Sequence, residues 1–202
     1  MHQARDTLSR TNVDALITEY AASTGSLGES IAKLKGLRLL EALKRDVVGT
    51  GPYPGVTLFE AANRIMSDLV ILHGVRWLLN HDVFPFDSYT VEYGNENRNG
   101  FDIRAAASGS TLIGEAFNVA QSFFQNKKNA MLKKLRDPAA TADFKVIMFN
   151  HDAVRSNYAP KSQAEEFFVV VNIGTGVARV VPDPALNAVA RQSGGARLPS
   201  AG

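Results

Sequence analysis

Residues 88–120, SYTVEYGNENRNGFDIRAAASGSTLIGEAFNVA, contain the pattern from which the fold is inferred. Apolar and polar residues alternate over Ser88–Tyr93, as they do in a half-buried strand, and the polar run at 94–100 predicts a turn. Two further strands are predicted at Phe101–Ala107 and Leu112–Ala120. Three successive strands with short connections indicate an antiparallel meander.

The segments that follow the meander predict one helix and more strands. Residues 122–136, SFFQNKKNAMLKKLR, have helical spacing, and Asp137-Pro138 ends that helix. Phe144–Asn150 and Glu166–Ile173 are continuous apolar runs, typical of strands covered on both faces. Val177–Val181 follows a glycine turn as a hairpin or edge strand. We therefore expect an α/β fold, with helices packed around one mixed sheet.

The N-terminal part predicts helices. Apolar residues recur at three- and four-residue steps over residues 6–48, and the Gly- and Pro-rich loop 49–55 is the best internal boundary. Thr57 is a predicted N-cap for a helix that reaches about Asn80, and its apolar circumference predicts burial. These features predict a helical extension over 1–50, an α/β core over 51–182 and a flexible tail over 183–202.

Composition narrows the class of protein. The chain has 202 residues, of which 45% are hydrophobic and 21% are charged, as in an ordinary globular domain. Cysteine is absent, which excludes disulfides, thiolate catalysis and zinc–cysteine sites. We see neither an apolar run of membrane-spanning length nor a secretory signal, so we expect a cytoplasmic protein without a membrane partner.

Two carboxylates on neighbouring predicted strands are the candidate centre of chemistry. Asp102 lies on the second strand of the meander and Glu115 on the third, and both side chains can point to one place if the strands pair. Two carboxylates this close repel each other unless a cation lies between them. Hard oxygen ligands suit Mg²⁺ or Mn²⁺, so the pair predicts a divalent-metal site.

The layout and these residues resemble the PD-(D/E)XK nuclease superfamily, whose fold is called restriction-endonuclease-like. That family has Asp on the second strand and Glu-x-Lys, often preceded by Gly, on the third; Asp102, Gly114 and Glu115 match over a resemblance spanning about residues 57–173. The resemblance implies magnesium- or manganese-dependent hydrolysis of DNA phosphodiesters, with restriction or defence as the expected role. It also implies that the main-chain carbonyl of Ala116 is a further metal ligand. Cutting two strands leads us to expect a homodimer.

The chain departs from the family at position 117, where Phe117 replaces the lysine that helps the attacking water and the phosphate. Phe has neither a donor nor a charge. We expect the predicted helix to supply the cation, a variation that the superfamily tolerates. Lys128 projects into its apolar stripe and is the first candidate, followed by Lys127 and Arg104; the alternative is that Lys128 extends its ammonium group into solvent.

Other residues complete the predicted site. Gln121 follows the third strand and is assigned to the catalytic group, and Glu60 is a weak candidate for another carboxylate, with capping as the simpler explanation. The helix at 122–136 has five basic residues and no acidic one. Nucleic-acid contacts are predicted for Lys127, Lys133, Lys134 and Arg104; a solvated helix face is the alternative.

Two other hypotheses stay open. Phe117 favours a catalytically inactive protein of the same fold that serves as a nucleic-acid-binding or protein-interaction subunit. Retention of both Asp102 and Glu115 favours the nuclease, because close like charges cost stability. The third hypothesis is a helical regulator that binds through its N-terminal 48 residues.

Overall fold

One mixed sheet of seven strands organises the computed structural model, which describes residues 7–94 and 100–184. The strands are β1 Thr7–Ser9, β2 Ser88–Val91, β3 Ile103–Ala107, β4 Ser110–Phe117, β5 Phe144–Asn150, β6 Glu166–Asn172 and β7 Val177–Val181. Their order in the sheet is their order in the chain. β5 is parallel to β4 and to β6, and the other neighbours are antiparallel. The predicted α/β class is therefore confirmed.

The predicted meander corresponds to β2, β3 and β4. Ser108 and Gly109 join β3 to β4, with φ of 50° and 80°, and Ala107 pairs with Ser110. Two consecutive positive φ angles are typical of the tight turns whose twist matches that of a β-hairpin. β4 ends at Phe117 rather than at Ala120, because the backbone of Val119 is bonded to the side chain of Asn150 instead of to a strand.

In the part of the chain that the structure describes, four α-helices accompany the sheet: α1 Val13–Ile31, α2 Gly36–Arg45, α3 Leu58–Asn80 and α4 Gln121–Leu135. The hydroxyl of Thr57 accepts a hydrogen bond from the N–H of Glu60 (3.2 Å), which confirms the predicted cap of α3. α3 packs on one face of the sheet and α4 on the other, each over its own apolar core. In the described ranges 7–94 and 100–184, no helix combines the length and apolar character that a membrane crossing requires.

The N-terminal segment joins the sheet as well as the helices. Leu8 of β1 and Val13 of α1 are fully buried in the core beneath α3, so part of the predicted extension belongs to the same core as the strands. A strand of three residues is too short to show a period of two, which is why the sequence predicted only helix here. Residues 185–202, most of the predicted tail, lie outside the described residues.

Candidate functional site

Three acidic residues follow one another across three neighbouring strands. Ile103 pairs with Gly114, so the preceding Asp102 lies opposite Glu115, and the N–H of Glu92 donates to the carbonyl of Asp102 at 2.8 Å. Directly opposed residues of antiparallel strands point to the same face of a sheet. The structure therefore brings Asp102 and Glu115 together and adds Glu92 to the row.

Asp102 is held in place by the backbone of β4. Its Oδ2 accepts a hydrogen bond from the N–H of Ala116 at 2.8 Å. β3 begins at Ile103, opposite Gly114, so β4 extends past it at this point. The N–H and C=O of one residue point to the same edge of a strand, and the carbonyl of Ala116 is therefore directed to the edge where Asp102 lies.

A lysine of α4 reaches this row. Lys134 Nζ lies 2.7 Å from Glu115 Oε1 and 5.3 Å from the ring centroid of Phe101. The side chain of Glu115 is 4% exposed, whereas that of Lys134 is 35% exposed. The ammonium group thus connects a buried carboxylate to the surface of the protein.

The surroundings of both carboxylates raise their pKa values above the ordinary ones. Burial, and then the charge of Asp102, raise the pKa of Glu115 to about 7 even though Lys134 and Lys127 act to lower it. Burial also raises the pKa of Asp102 above its ordinary value, while the N–H of Ala116 and the charge of Lys134 oppose the rise. One lysine therefore does not fully balance the two acids, and additional positive charge would stabilise their ionised forms.

Phe117 stands where the resembled superfamily has lysine, and it belongs to the core. It is 2% exposed, and its ring lies 5.8 Å from that of Phe149 and 6.1 Å from that of Phe124. The space that a lysine side chain would enter from β4 is filled by aromatic rings. The cation that lies beside Glu115 comes instead from α4, as Lys134.

The structure does not bring Lys128, the first candidate, to the carboxylates. Its Nζ lies 5.8 Å from the ring centroid of Phe124 and 6.0 Å from that of Tyr158, and burial followed by the charge of Arg136 lowers its pKa. The apolar stripe of α4 faces the aromatic core, whereas Glu115 lies to one side of it. Lys134, predicted only as a nucleic-acid contact, takes the place expected for Lys128.

The remaining predicted site residues are exposed on the surface of the protein. Lys127 and Lys133 are exposed on α4, and Gln121 is exposed at its first residue. The exposed Arg104 lies with its guanidinium carbon 5.4 Å from the ring centroid of Phe101. Glu60 pairs with Arg64 at 2.6 Å in the first turn of α3, so its carboxylate is engaged in a local surface ion pair.

The sequence analysis missed Asp68, a buried acidic residue of α3 whose pKa is affected by the charge of Asp102. Asp68 is 1% exposed and accepts hydrogen bonds from the hydroxyls of Tyr20 (2.5 Å) and Tyr53 and from the N–H of Gly94 (3.0 Å). Burial raises its pKa to about 6, and the charge of Asp102 adds to the rise. The available signal was an aspartate in a helix that is apolar on most of its circumference, which indicates burial with dedicated partners.

The donor set for a metal is small. Within residues 7–94 and 100–184, no three His, Asp or Glu side chains form a group that could hold a metal ion by themselves. Asp102, Glu115 and the carbonyl of Ala116 remain the residues that could hold one. Comparisons with protein-family models, with curated proteins and with solved structures found no match for this chain.

Proposed function

We propose that this protein is a divalent-metal-dependent nuclease of the restriction-endonuclease-like class, which hydrolyses DNA phosphodiester bonds. The observation that carries the proposal is the opposition of Asp102 and Glu115 across β3 and β4, with Lys134 Nζ 2.7 Å from Glu115 Oε1. Two carboxylates and one lysine at the ends of adjacent strands are the groups that this class of enzyme requires. Here the lysine comes from α4 instead of β4.

The order of elements supports the same class. A long helix, an antiparallel three-strand meander, a helix and a strand parallel to the last meander strand follow one another as α3, β2–β4, α4 and β5. This is the succession that the resemblance to the PD-(D/E)XK superfamily implies. Asp102 immediately precedes β3 and Glu115 lies on β4, so the acidic residues stand at the second and third strands of the meander, as in the resemblance.

The residues present fit Mg²⁺ or Mn²⁺. Asp102 and Glu115 offer hard oxygen donors, the carbonyl of Ala116 is directed to the same edge, and the two acids retain uncompensated repulsion that a cation would relieve. Such an ion, when bound, would polarise a phosphate oxygen and lower the pKa of an attacking water molecule.

The chain's own residues have separate roles in this proposal. The N–H of Ala116 fixes the carboxylate of Asp102. Lys134 exchanges its contact with Glu115 for the phosphate and stabilises the negative charge that develops there. Lys127, Lys133 and Arg104 are exposed cations available to neighbouring phosphates of the DNA backbone.

Plasmid cleavage in Mg²⁺ or Mn²⁺ tests the proposal with isosteric variants. We expect Asp102→Asn and Glu115→Gln each to reduce the cleavage rate by at least about 1000-fold, since each removes a charge on which metal binding depends. Glu166→Gln is the matched control, because Glu166 is similarly buried and pairs with Arg136, the residue that follows α4. Cleavage that survives both site substitutions would assign the activity to another site or to a contaminant.

The alternative function, an inactive protein of the same fold that binds nucleic acid or another protein, is favoured by Phe117. Phe117 replaces the lysine of the superfamily and packs against Phe124 and Phe149. The ion pair with Lys134 also neutralises part of the charge of Glu115, so a metal ion is less needed there. Labelled DNA that binds the wild-type protein and stays intact with either metal would favour this alternative over the nuclease.

A further inference from the structure

One stripe of α4 leads away from the candidate site. Phe123, Lys127, Ala130 and Lys134 are spaced by four, three and four residues, so at about 100° per residue they lie within about 60° of one another. Contact with Glu115 fixes the stripe at Lys134. Phe123 therefore lies on the same side of the helix, about 16 Å along its axis at about 1.5 Å per residue.

This α4 stripe is open to solvent along its length. Phe123 is 65% exposed, and Lys127 and Ala130 are also exposed. The neighbouring Phe124 is 6% exposed and belongs to the aromatic core, so burial of α4 does not depend on Phe123. An exposed phenyl ring, a lysine and a small residue thus precede the lysine of the site.

The positive charge of α4 indicates an anionic partner. The helix contains four lysines and no aspartate or glutamate. A polyanion matches this face, and Lys127 is close enough to lower the pKa values of Asp102 and Glu115. A chain of phosphates can therefore follow the stripe to the carboxylates.

We propose that the α4 stripe binds single-stranded nucleic acid, with an unpaired base stacked on Phe123 and the backbone passing Lys127 toward Lys134; this placement of the strand rests on the proposed function. A duplex hides the faces of its bases within the stack, whereas an unpaired base presents its face to an aromatic ring. The ring distinguishes this surface from one made only of phosphate-binding cations. The preferred substrate is accordingly a single strand, an unpaired end or a bulge.

Tryptophan fluorescence tests the stacking directly, in buffer without divalent ions. The chain has one tryptophan, Trp77, so Phe123→Trp adds a reporter on the stripe. We expect oligo(dT) and oligo(U) to quench the added fluorescence, and a blunt duplex to leave it unchanged. Phe59→Trp is the matched control, because Phe59 is 48% exposed on α3 with Lys44 Nζ 3.9 Å from its ring centroid.

Affinity for a labelled single strand provides the second measurement. We expect Phe123→Ala to weaken binding roughly 5- to 150-fold, the range that stacking of one base supplies, while duplex binding and the Phe59→Ala control stay unchanged. Equal weakening for both forms of DNA, or single-strand binding within twofold of the wild type, would overturn the inference. So would a wild-type protein that binds no single strand. Stacking without cleavage in Mn²⁺ would contradict the proposed nuclease and leave the stripe's assignment standing.

Discussion

Two buried glutamates lie under α4, and each pairs with a cation from the C-terminal end of that helix. Glu166 receives two hydrogen bonds from the guanidinium group of Arg136, at 2.6 and 2.8 Å, and a third from the N–H of Gln163 at 2.9 Å. Glu115 has the single ammonium group of Lys134 and lies opposite Asp102. The two residues are similarly buried, and their partners differ.

The difference in partners distinguishes the structural ion pair of Glu166 from the candidate site at Glu115. Burial acts to raise the pKa of Glu166, but the hydrogen bonds from Arg136 and Gln163 outweigh it, so the pKa falls below its ordinary value. The pKa of Glu115 instead rises to about 7, through burial and the charge of Asp102. A carboxylate with all its partners supports the fold, whereas one left with excess repulsion is available for chemistry.

The largest contrast is expected from removing the two cations. If the proposed function holds, Lys134→Ala should lower the cleavage rate about 100- to 1000-fold, since the proposal assigns to Lys134 the stabilisation of charge on the phosphate. Its free energy of unfolding should change by less than about 1 kcal/mol, because Lys134 is partly exposed and Glu115 can protonate. Plasmid cleavage and urea unfolding near pH 8 measure both effects.

Arg136→Ala should show the opposite behaviour. It leaves Glu166 buried without its partner and should cost about 2–3 kcal/mol, less than for a fully buried pair because the side chain of Arg136 is 40% exposed. Its cleavage rate at room temperature should stay within a few-fold of the wild type. An Arg136 variant that loses cleavage, or a Lys134 variant that keeps it, would break the distinction between the two pairs.

The pH dependence of the free energy of unfolding should have opposite signs for Glu115 and Glu166, because their pKa values are shifted in opposite directions. The folded-state pKa of Glu115 is raised from 4.5 to about 7, so its contribution to stability is present below pH 4.5 and is lost as the pH rises through 7. Glu115→Gln cannot ionise and should be more stable than the wild type near pH 8, by no more than about 3 kcal/mol. Urea unfolding across this pH range measures the difference.

The Glu166→Gln variant is the control for this series. The folded-state pKa of Glu166 is lowered, so its stabilisation is present above its unfolded value of 4.5 and is lost as the pH falls through the lower folded value. Glu166→Gln should therefore be less stable than the wild type near pH 8, with the difference shrinking in acid. The same sign for both substitutions would contradict the two environments assigned to these glutamates.

The smallest effect is expected at Lys128. Its contacts with the rings of Phe124 and Tyr158 are worth roughly 0.5–1 kcal/mol, so Lys128→Ala should cost no more than that. Cleavage should be unchanged because Lys128 does not contact the carboxylates. A large loss of cleavage in this variant, with unfolding unaffected, would return the catalytic role to Lys128 and remove it from Lys134.

The sequence predicted the parts of the fold whose periodicity is strong. β5 and β7 have the predicted bounds, and α4 at Gln121–Leu135 differs from its prediction by one residue at each end. Strand alternation predicted that Asp102 and Glu115 point to one place if their strands pair, and the register that sets them opposite each other comes from the turn at Ser108 and Gly109. The sequence could not identify Lys134 as the cation beside Glu115. A helical wheel gives the direction of a side chain around α4, but it does not give the position of the helix over the sheet.

Contacts between distant segments were also beyond the sequence. Asp68 meets Tyr20 and Tyr53 through the packing of α1 and the 49–57 loop on α3, and no local spacing records that arrangement. β1 pairs with β2, which lies roughly 80 residues later in the chain. β1 occupies the free edge of β2, and no local sequence pattern indicates that pairing. Periodicity predicts elements, whereas these contacts depend on how the elements pack.

Manganese binding measured by titration calorimetry tests the central claim, that Asp102 and Glu115 together form a divalent-metal site. We predict uptake of Mn²⁺ by the wild-type protein and by Glu166→Gln, and loss of that uptake in Asp102→Asn and in Glu115→Gln. The absence of binding to the wild type, or equal binding by Glu115→Gln, would contradict the claim.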